Sequence, residues 1–297
     1  MAWTSEDLIA SVKRRALIPT AQVTFQTADF LAIINEEVQS YLVPFVTSQR
    51  EDYFIAHYDV TLANNVTAYR LPTRAVGQAL REVETINAQS MVRNFPRVSR
   101  EDLEGAATGF YLDGNVLMLV IDNPANVSQL GSVLRMTYHM RPNTLVASTA
   151  TGVIQSINTG TKQVTLTSAP GTFTSSVLYD LVRARPGFES LAIDQSATVA
   201  GTTLTFATAL PSDLVVGDVV CLAGESNYPQ VPLELHPLLA QRVAVKCLEA
   251  LGDAEQIGTA GGVLGRMEAD AAKLLTPRVA GEVERMVNRD SLFRSFW

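Results

Sequence analysis

The sequence predicts a mixed α+β protein. N-terminal helices and a C-terminal helical hairpin form one domain that also contains strands, and a small β-barrel or sandwich is inserted into it. Three observations predict this fold class: apolar residues recur every three or four positions near both ends, the period falls to two from Tyr53, and residues 147–223 are rich in Thr, Ser, Gly and Val. We expect a helix-based domain at 1–146 and 224–275, an inserted β domain at 147–223, and an extended C-terminal arm at 276–297.

The N-terminal helices have recognisable boundaries. Thr4, with Asp7 three residues later, predicts a capping box. Thr27 is expected to cap a second helix, whose apolar face continues through 30–45. Pro44 lies near the end of that face, and we expect a break or kink there because proline lacks a backbone N–H.

In the C-terminal hairpin at 231–275, we expect a stable first helix and a less stable second helix. Pro232 suits a first helical turn, and Gly252 suits a left-handed helix end. The second helix contains four glycines, each costing about 1 kcal/mol relative to alanine. We therefore expect a flexible break between helical turns there. The glycines are Gly258, Gly261, Gly262 and Gly265.

Strand patterns occupy the middle of the chain. The segment 54–62 reads as a strand that returns through Asn64-Asn65 as 66–71, and further strands are predicted at 81–86 and 133–140. Asp113-Gly114-Asn115 predicts a hairpin turn. Within the β insertion, two hairpins are expected around 158–161 and 200–201, followed by a strand near 214–220. Residues 164–170 and 203–207 echo each other, too weakly to define a repeat.

Composition excludes several classes of protein. The 297 residues carry a net charge of −7, which argues against broad binding to DNA phosphates but not against a protein that surrounds DNA without gripping it. The longest apolar runs are too short for a transmembrane helix, and the N-terminus lacks the apolar region of a secretory signal. Cys221 and Cys247 form no metal or disulfide pattern, so we expect two small buried hydrophobes in a reducing compartment.

The sequence offers no recognisable catalytic or metal site. His57, His139 and His236 are far apart and lack a partner at metal-ligand spacing. The glycine-rich stretch 258–262 is not followed by the Lys-Ser or Lys-Thr of a phosphate loop, and the acidic pairs suit solvated faces. We therefore expect a non-enzymatic protein without a cofactor or a metal.

The C-terminal arm combines arginines with aromatic residues. Three aromatics within the last five residues are costly to leave in water, and a mixture of arginine and aromatic side chains is typical of interface anchors. We expect the arm to dock into a partner; a return to this chain's own core is the alternative. The candidate anchors are Arg278, Arg285, Arg289, Phe293, Arg294, Phe296 and Trp297.

Several stretches resemble the head–tail connector, or portal adaptor, proteins of tailed bacteriophages. The order of the elements and the C-terminal helices also fit that family, whereas the β module at 147–223 is longer than the compact adaptor pattern. The resemblance is carried by Phe30-Leu31-Ala32-Ile33-Ile34-Asn35-Glu36-Glu37, Val43-Pro44-Phe45, Arg50-Glu51-Asp52-Tyr53-Phe54, Tyr69-Arg70-Leu71-Pro72, Arg74-Ala75, Leu80-Arg81-Glu82-Val83, Gly109-Phe110-Tyr111-Leu112 and Tyr138-His139-Met140-Arg141-Pro142.

The resemblance implies a structural role in the neck of the virion. Such proteins form a ring, typically of twelve copies, beneath the portal; it extends the DNA channel and offers a platform to a downstream tail, stopper or nozzle protein. Helices form the ring wall and the C-terminal arm reaches the portal. DNA passes the bore during ejection without specific binding, no membrane is involved, and the protein is made in the host bacterial cytoplasm. A contact that closes on itself gives such a ring.

Two other classes of protein stay open at this point. One is another tail or baseplate component, in which the β region would act as a binding module. The other is an enzyme whose site is scattered along the chain. A cleft that gathered His57, His139 and acidic residues would favour the enzyme.

The arm gives a testable prediction. Deleting residues 290–297 should abolish binding to the portal, because the anchors Phe293, Phe296 and Trp297 are lost, and should leave the fold intact. Portal binding is measured by co-sedimentation, and the fold by circular dichroism of both chains. Unchanged portal binding after the deletion would refute the anchor role.

Overall fold

The structure, a computed structural model, describes residues 3–19, 24–99, 108–121 and 123–276. It is mixed α+β, as the sequence predicts. In the described part of the chain, no helix is both long and apolar enough to span a membrane. The helices are α1 (Ser5–Arg15), α2 (Thr27–Glu37), α3 (Val43–Gln49), α4 (Val127–Leu130), α5 (His236–Leu251) and α6 (Ala254–Leu275).

The helices enclose an apolar core with α5 at its centre. Ten of the sixteen residues of α5 are buried, because a helix that is apolar on nearly every side must lie inside. The capping box of α1 is confirmed: the Asp7 N–H donates to Thr4 Oγ1 at 3.2 Å, and the Thr4 N–H donates to the Asp7 carboxylate at 3.1 Å. Gly252 ends α5 with a left-handed φ of 75°, also as predicted.

Expectations for three helix boundaries differ in detail from the structure. Thr27 is the first helical residue and Gln26 is the N-cap, because the Asp29 carboxylate accepts the Gln26 N–H at 2.7 Å. The α-helical pattern is interrupted next to Pro44, as expected, because a π-helical turn, Val38–Leu42, separates α2 from α3, while the chain stays helical through it. Pro232 precedes a short 3₁₀ turn, and α5 begins at His236.

The break expected at the glycines of the second hairpin helix is absent. α6 runs without interruption for 22 residues. Ile257, Leu264 and Met267 pack against the helical core, and this tertiary packing outweighs the weak helix propensity of glycine.

Two antiparallel sheets share a second apolar core. The first has the strand order β1-β7-β3-β4 and the second β2-β6-β5. Leu134, Met136 and Val83 from the first sheet share a core with Leu117 and Phe110 from the second. The strands are β1 (Ile55–Thr61), β2 (Ala68–Arg70), β3 (Ala75–Ile86), β4 (Val92–Asn94), β5 (Thr108–Asp113), β6 (Val116–Ile121) and β7 (Val133–Met140).

The hairpin expected around Asn64-Asn65 is wrong. β1 pairs with β7, and β2 pairs with β6, so the chain crosses from one sheet to the other and buries Tyr69 between them. The hairpin at Asp113-Gly114-Asn115 is confirmed. β3 begins before the expected residue 81, because Gly77 and Gln78, both with positive φ, form a bulge that hides the alternation.

Residues 152–222 contain a closed antiparallel barrel with the order β10-β13-β12-β11-β14-β9. Both predicted hairpins are present, and the interior is apolar, with Val164, Leu204 and Tyr179 fully buried. Short strands join the barrel to the rest of the chain: β8 before it pairs in parallel with β15 after it. The strands are β8 (Thr144–Leu145), β9 (Gly152–Asn158), β10 (Gln163–Leu166), β11 (Leu178–Val182), β12 (Ser190–Ala200), β13 (Thr203–Phe206), β14 (Val219–Leu222) and β15 (Glu225–Ser226).

The sequence echo corresponds to a pseudo-twofold axis of the barrel. The two echoing strands, β10 and β13, pair with each other, with Val164 opposite Leu204. The same pseudo-twofold axis relates β11 to β14, which pair with Tyr179 opposite Leu222 and Leu181 opposite Val220. The barrel therefore consists of two three-stranded halves that interlock around one core.

Candidate functional site

A buried carboxylate joins the barrel to the sheets and to the barrel's entry and exit strands. Asp180, on β11, is fully buried and accepts hydrogen bonds from both terminal nitrogens of Arg74, at 2.5 and 3.0 Å. The Asn143 side chain donates to it at 2.8 Å, and the N–H groups of Asp194 and Gly224 each donate at 3.0 Å. We call these residues the Asp180 hub.

The hub depends on a local backbone feature of β12. Asp194 takes a positive φ of 54° at an irregularity in β12, which turns its N–H toward Asp180, and its carboxylate binds Arg74 at 2.7 Å. Burial alone lowers the pKa of Arg74, but the hydrogen bonds and charges of Asp180 and Asp194 outweigh burial and leave the pKa raised. The guanidinium therefore stays charged beside Asp180.

Two clefts lie beside the hub, between the first sheet and the barrel. One, of about 480 Å³, is lined by residues 53–57 and by the start of β12. The other, of about 600 Å³, is lined by residues 70–74 and by Asp194 and Gln195. The two clefts meet at His57 and Ile193.

The structure places two of the three histidines near each other. His57 lies opposite Thr137, and His139 opposite Ile55, on the adjacent strands β1 and β7, so both project from one face of the sheet. His57 Nδ1 lies 3.0 Å from Thr137 Oγ1. Asp59, on the same face, is held by Arg135 at 2.8 and 2.7 Å, and this hydrogen bonding lowers the pKa of Asp59. The carboxylate is thus ionised and engaged, which suits a structural ion pair better than a general base.

Other candidates for chemistry are buried or scattered. Within residues 3–19, 24–99, 108–121 and 123–276, no group of three or more His, Cys, Asp or Glu side chains could hold a metal ion. Cys221 and Cys247 are both buried, as predicted. Burial raises the pKa of both thiols, that of Cys247 to about 11, so neither is a ready nucleophile.

His236 forms a second joint, between the barrel and the helices. It is fully buried at the start of α5, 5.2 Å from the ring of Phe188 and 6.2 Å from that of Trp3. Its Nε2 lies 3.3 Å from the Val231 carbonyl, and Nδ1 has no partner among the described residues. Burial lowers the pKa of His236 to about 4, against smaller opposing effects of hydrogen bonds and of Glu234. His236 is therefore a buried residue in the first turn of a helix.

The outer side of α6 has two unlike flanks. At about 100° per residue, one arc of the helix carries only glycine and alanine, and we call it the small-residue strip. Roughly opposite lie Val263 and Leu274, with Leu17 across an adjoining cleft, and we call these three residues the apolar flank. The strip consists of Ala254, Gly258, Gly261, Gly262, Gly265, Ala269 and Ala272.

Arg278, Arg285, Arg289, Phe293, Arg294, Phe296 and Trp297 all lie outside the described residues.

Neither a protein-family model nor a curated protein matches this chain. The likeness to portal adaptors therefore stays an expectation from the sequence.

Sequence reasoning missed the Asp180 hub and the two flanks of α6. Asp180 could have been suspected, because a carboxylate inside the apolar run 179–182 must find partners if that run is a buried strand. Its partners could not be predicted, because Arg74 lies 106 positions away in the sequence. The small-residue strip is visible on a helical wheel once α6 is known to be continuous.

The hub gives a prediction on stability. Asp180→Asn should destabilise the protein by about 3–5 kcal/mol, because it leaves the buried guanidinium of Arg74 without its main counter-charge. Asp59→Asn is the matched control: its ion pair with Arg135 is half exposed and should cost at most about 1 kcal/mol. Chemical denaturation measures both, and equal losses would contradict the role of the hub.

His236 gives a prediction on pH. Its pKa is about 4 in the folded protein, below the ordinary value of 6.5, so the unfolded chain binds the proton first as pH falls. The free energy of unfolding should therefore decrease between about pH 6.5 and 4, by on the order of 3 kcal/mol in total. His236→Phe removes the group that binds this proton. The denaturation midpoint of the variant should therefore depend less on pH over that window. The same slope in both proteins would exclude His236 as the cause.

Proposed function

We propose that this protein is a head-to-tail adaptor of a bacteriophage virion, a structural protein without catalytic activity. It forms a ring beneath the portal, extends the DNA channel and joins the capsid to the tail. Its partners are further copies of itself, twelve in the proposed ring, the portal protein, and a downstream tail, stopper or nozzle protein. It works at the neck of the virion after synthesis in the host cytoplasm.

One observation carries the proposal: α6 exposes a surface suited to burial in an assembly. Only Ala271 and Leu275 of its 22 residues are buried, and Leu274 is 59% exposed. Apolar residues grouped on an outer face mark interaction sites in soluble proteins. A long helix that is exposed on its outer side and packs against the buried helix α5 has the form that a ring wall requires.

The charge of the chain supports a passive DNA channel. The protein has 30 acidic and 23 basic residues. Because acidic side chains are in excess, it should bind DNA phosphates only weakly. We expect acidic side chains to line the bore, and a cationic bore in a reconstructed ring would contradict this.

The barrel argues for the adaptor over a sugar-binding tail component. Its aromatic side chains Phe173, Tyr179 and Phe206 are all buried. A sugar-binding module uses exposed rings as platforms, and residues 152–222 present none. In the proposed ring the barrel faces outward, toward other tail parts.

Electron microscopy tests the proposal. The full-length protein is imaged alone and with the portal protein of the same genome, and particle mass is measured in parallel. We expect a closed ring that takes up the rotational symmetry of the portal, because portal subunits would align the copies above the shared channel. A monomer that ignores the portal would overturn the proposal.

A further inference from the structure

The outer edge of β1 is an unpaired strand edge. β1 is the first strand in the order β1-β7-β3-β4, and among the described residues it pairs with β7 alone. The Met140 N–H donates to the Phe54 carbonyl, and the hydrogen bonds of a strand alternate between its two edges. Residues of even number therefore bond to β7. The N–H and C=O groups of His57, Asp59 and Thr61 point toward the free edge.

The sequence of β1 does not protect this edge. Proteins shield exposed edges with short strands, prolines, lysines or bulges. β1 is seven residues long, contains neither proline nor lysine, and pairs with β7 in unbroken register. The strand at the opposite end of the same sheet, β4, has only three residues. The edge of β1 thus has the form that another extended chain requires for pairing.

The two clefts beside the hub lie along β1. Residues 53–57 line the cleft of about 480 Å³ consecutively, and residues 189–193 of the barrel do the same on the other wall. Because the side chains of a strand alternate between its faces, consecutive lining residues indicate that the backbone itself borders the cleft. β13 pairs with β12 only from Ala197 onward. Two segments that are each paired on one side only therefore border the same cleft.

The second cleft adds apolar side chains and a cation. Tyr58, from the sheet, is 41% exposed, and Leu178, from the barrel, is 45% exposed. Both line this cleft of about 600 Å³, as does Arg70. Arg70 has no carboxylate partner among the described residues. Domains that bind a peptide as an added strand gain affinity from main-chain hydrogen bonds and specificity from pockets for alternate side chains.

We propose that the two clefts together, which we call the β1 groove, bind an extended segment of a different protein. The segment adds to the first sheet as a strand beside β1. It carries apolar residues at alternate positions, which contact Tyr58 and Leu178, and an acidic residue that pairs with Arg70. This interaction goes beyond the adaptor function and does not depend on ring formation.

Geometry and charge favour a foreign peptide over a second copy of this chain. β1 of a second copy would arrive with β7 attached along its whole length, and the barrel wall at 189–193 stands opposite β1. A single extended chain fits between these walls, whereas a sheet does not. Asp59, the one carboxylate of β1, is already bound to Arg135, so β1 of another copy would leave Arg70 unmatched.

A peptide library tests the groove. The full-length protein is used to select from a yeast-displayed library of random nine-residue peptides, and the affinities of enriched peptides are measured by fluorescence anisotropy. We expect apolar residues at alternate positions together with Asp or Glu. The best peptide is then methylated on alternate backbone nitrogens. One of the two alternate sets should lose at least about tenfold in affinity, because only one set of N–H groups points at β1.

Two variants of residue 57 separate backbone pairing from side-chain contact. His57→Pro removes an N–H of the free edge and none of the hydrogen bonds to β7. Proline is tolerated on edge strands in this orientation, so the fold should stay intact, as circular dichroism checks, while peptide affinity falls at least about tenfold. His57→Ala is the matched control, because it loses the same side chain but keeps the N–H, and it should bind normally.

Arg70→Gln tests the acidic residue of the segment. The variant should bind the enriched acidic peptides about twofold to fivefold more weakly, as expected for an exposed ion pair. Peptides in which Gln replaces the acidic residue should bind the variant and the native protein equally. An equal loss for both kinds of peptide would contradict the pairing with Arg70.

The remaining outcomes identify other occupants. No enrichment from the library, or equal affinity of the native protein and His57→Pro, would overturn the proposal. Enrichment that appears only after deletion of residues 277–297 would show that this chain occupies its own groove. A dimer in analytical ultracentrifugation that His57→Pro dissociates would show a second copy there. Either of these results would also overturn the proposal.

Discussion

The orientation of the barrel depends on one buried carboxylate. The chain enters and leaves the barrel through β8 and β15, strands of two residues each, which are too short to fix how a separate core is held. Asp180 supplies the missing constraint, because it accepts five hydrogen bonds from side chains and backbone on both sides of the joint. A buried carboxylate without such partners costs several kcal/mol. Only an orientation that satisfies all of its oxygen lone pairs is therefore stable.

The joint is polar on one side and aromatic on the other. Arg74 extends the hub to the first sheet, directly before the bulge in β3. On the helical side, Phe188 stacks on Tyr228 at 5.5 Å and contacts His236. Phe188 holds a left-handed φ of 45° to do so, a conformation that a bulky residue adopts only when its surroundings enforce it. Two unlike interactions thus fix the barrel from opposite sides and resist its rotation as a unit.

Local patterns predicted the elements better than they predicted the partners of those elements. The capping box at Thr4, the end of α5 at Gly252 and both barrel hairpins follow from interactions within a few residues, so the sequence alone contains them. The pairing of β1 with β7 joins residues about 80 positions apart, as His57 and Thr137 show, and alternation says nothing about which distant strand lies alongside. The bulge at Gly77-Gln78 was not predicted for a related reason. The two-residue period of side chains, from which a strand is recognised, is interrupted at the bulge.

The glycines of α6 show where sequence reasoning misjudged a cause. Their low propensity correctly indicates a weak helix, yet tertiary contacts of Ile257 and Leu264 keep it continuous. Packing of one apolar face against a core supplies most of the stability of a helix in a protein, so low propensity alone does not break it. Helix propensity belongs to the helix alone, whereas the continuity of α6 depends on contacts with the rest of the helical core, which the local sequence does not contain.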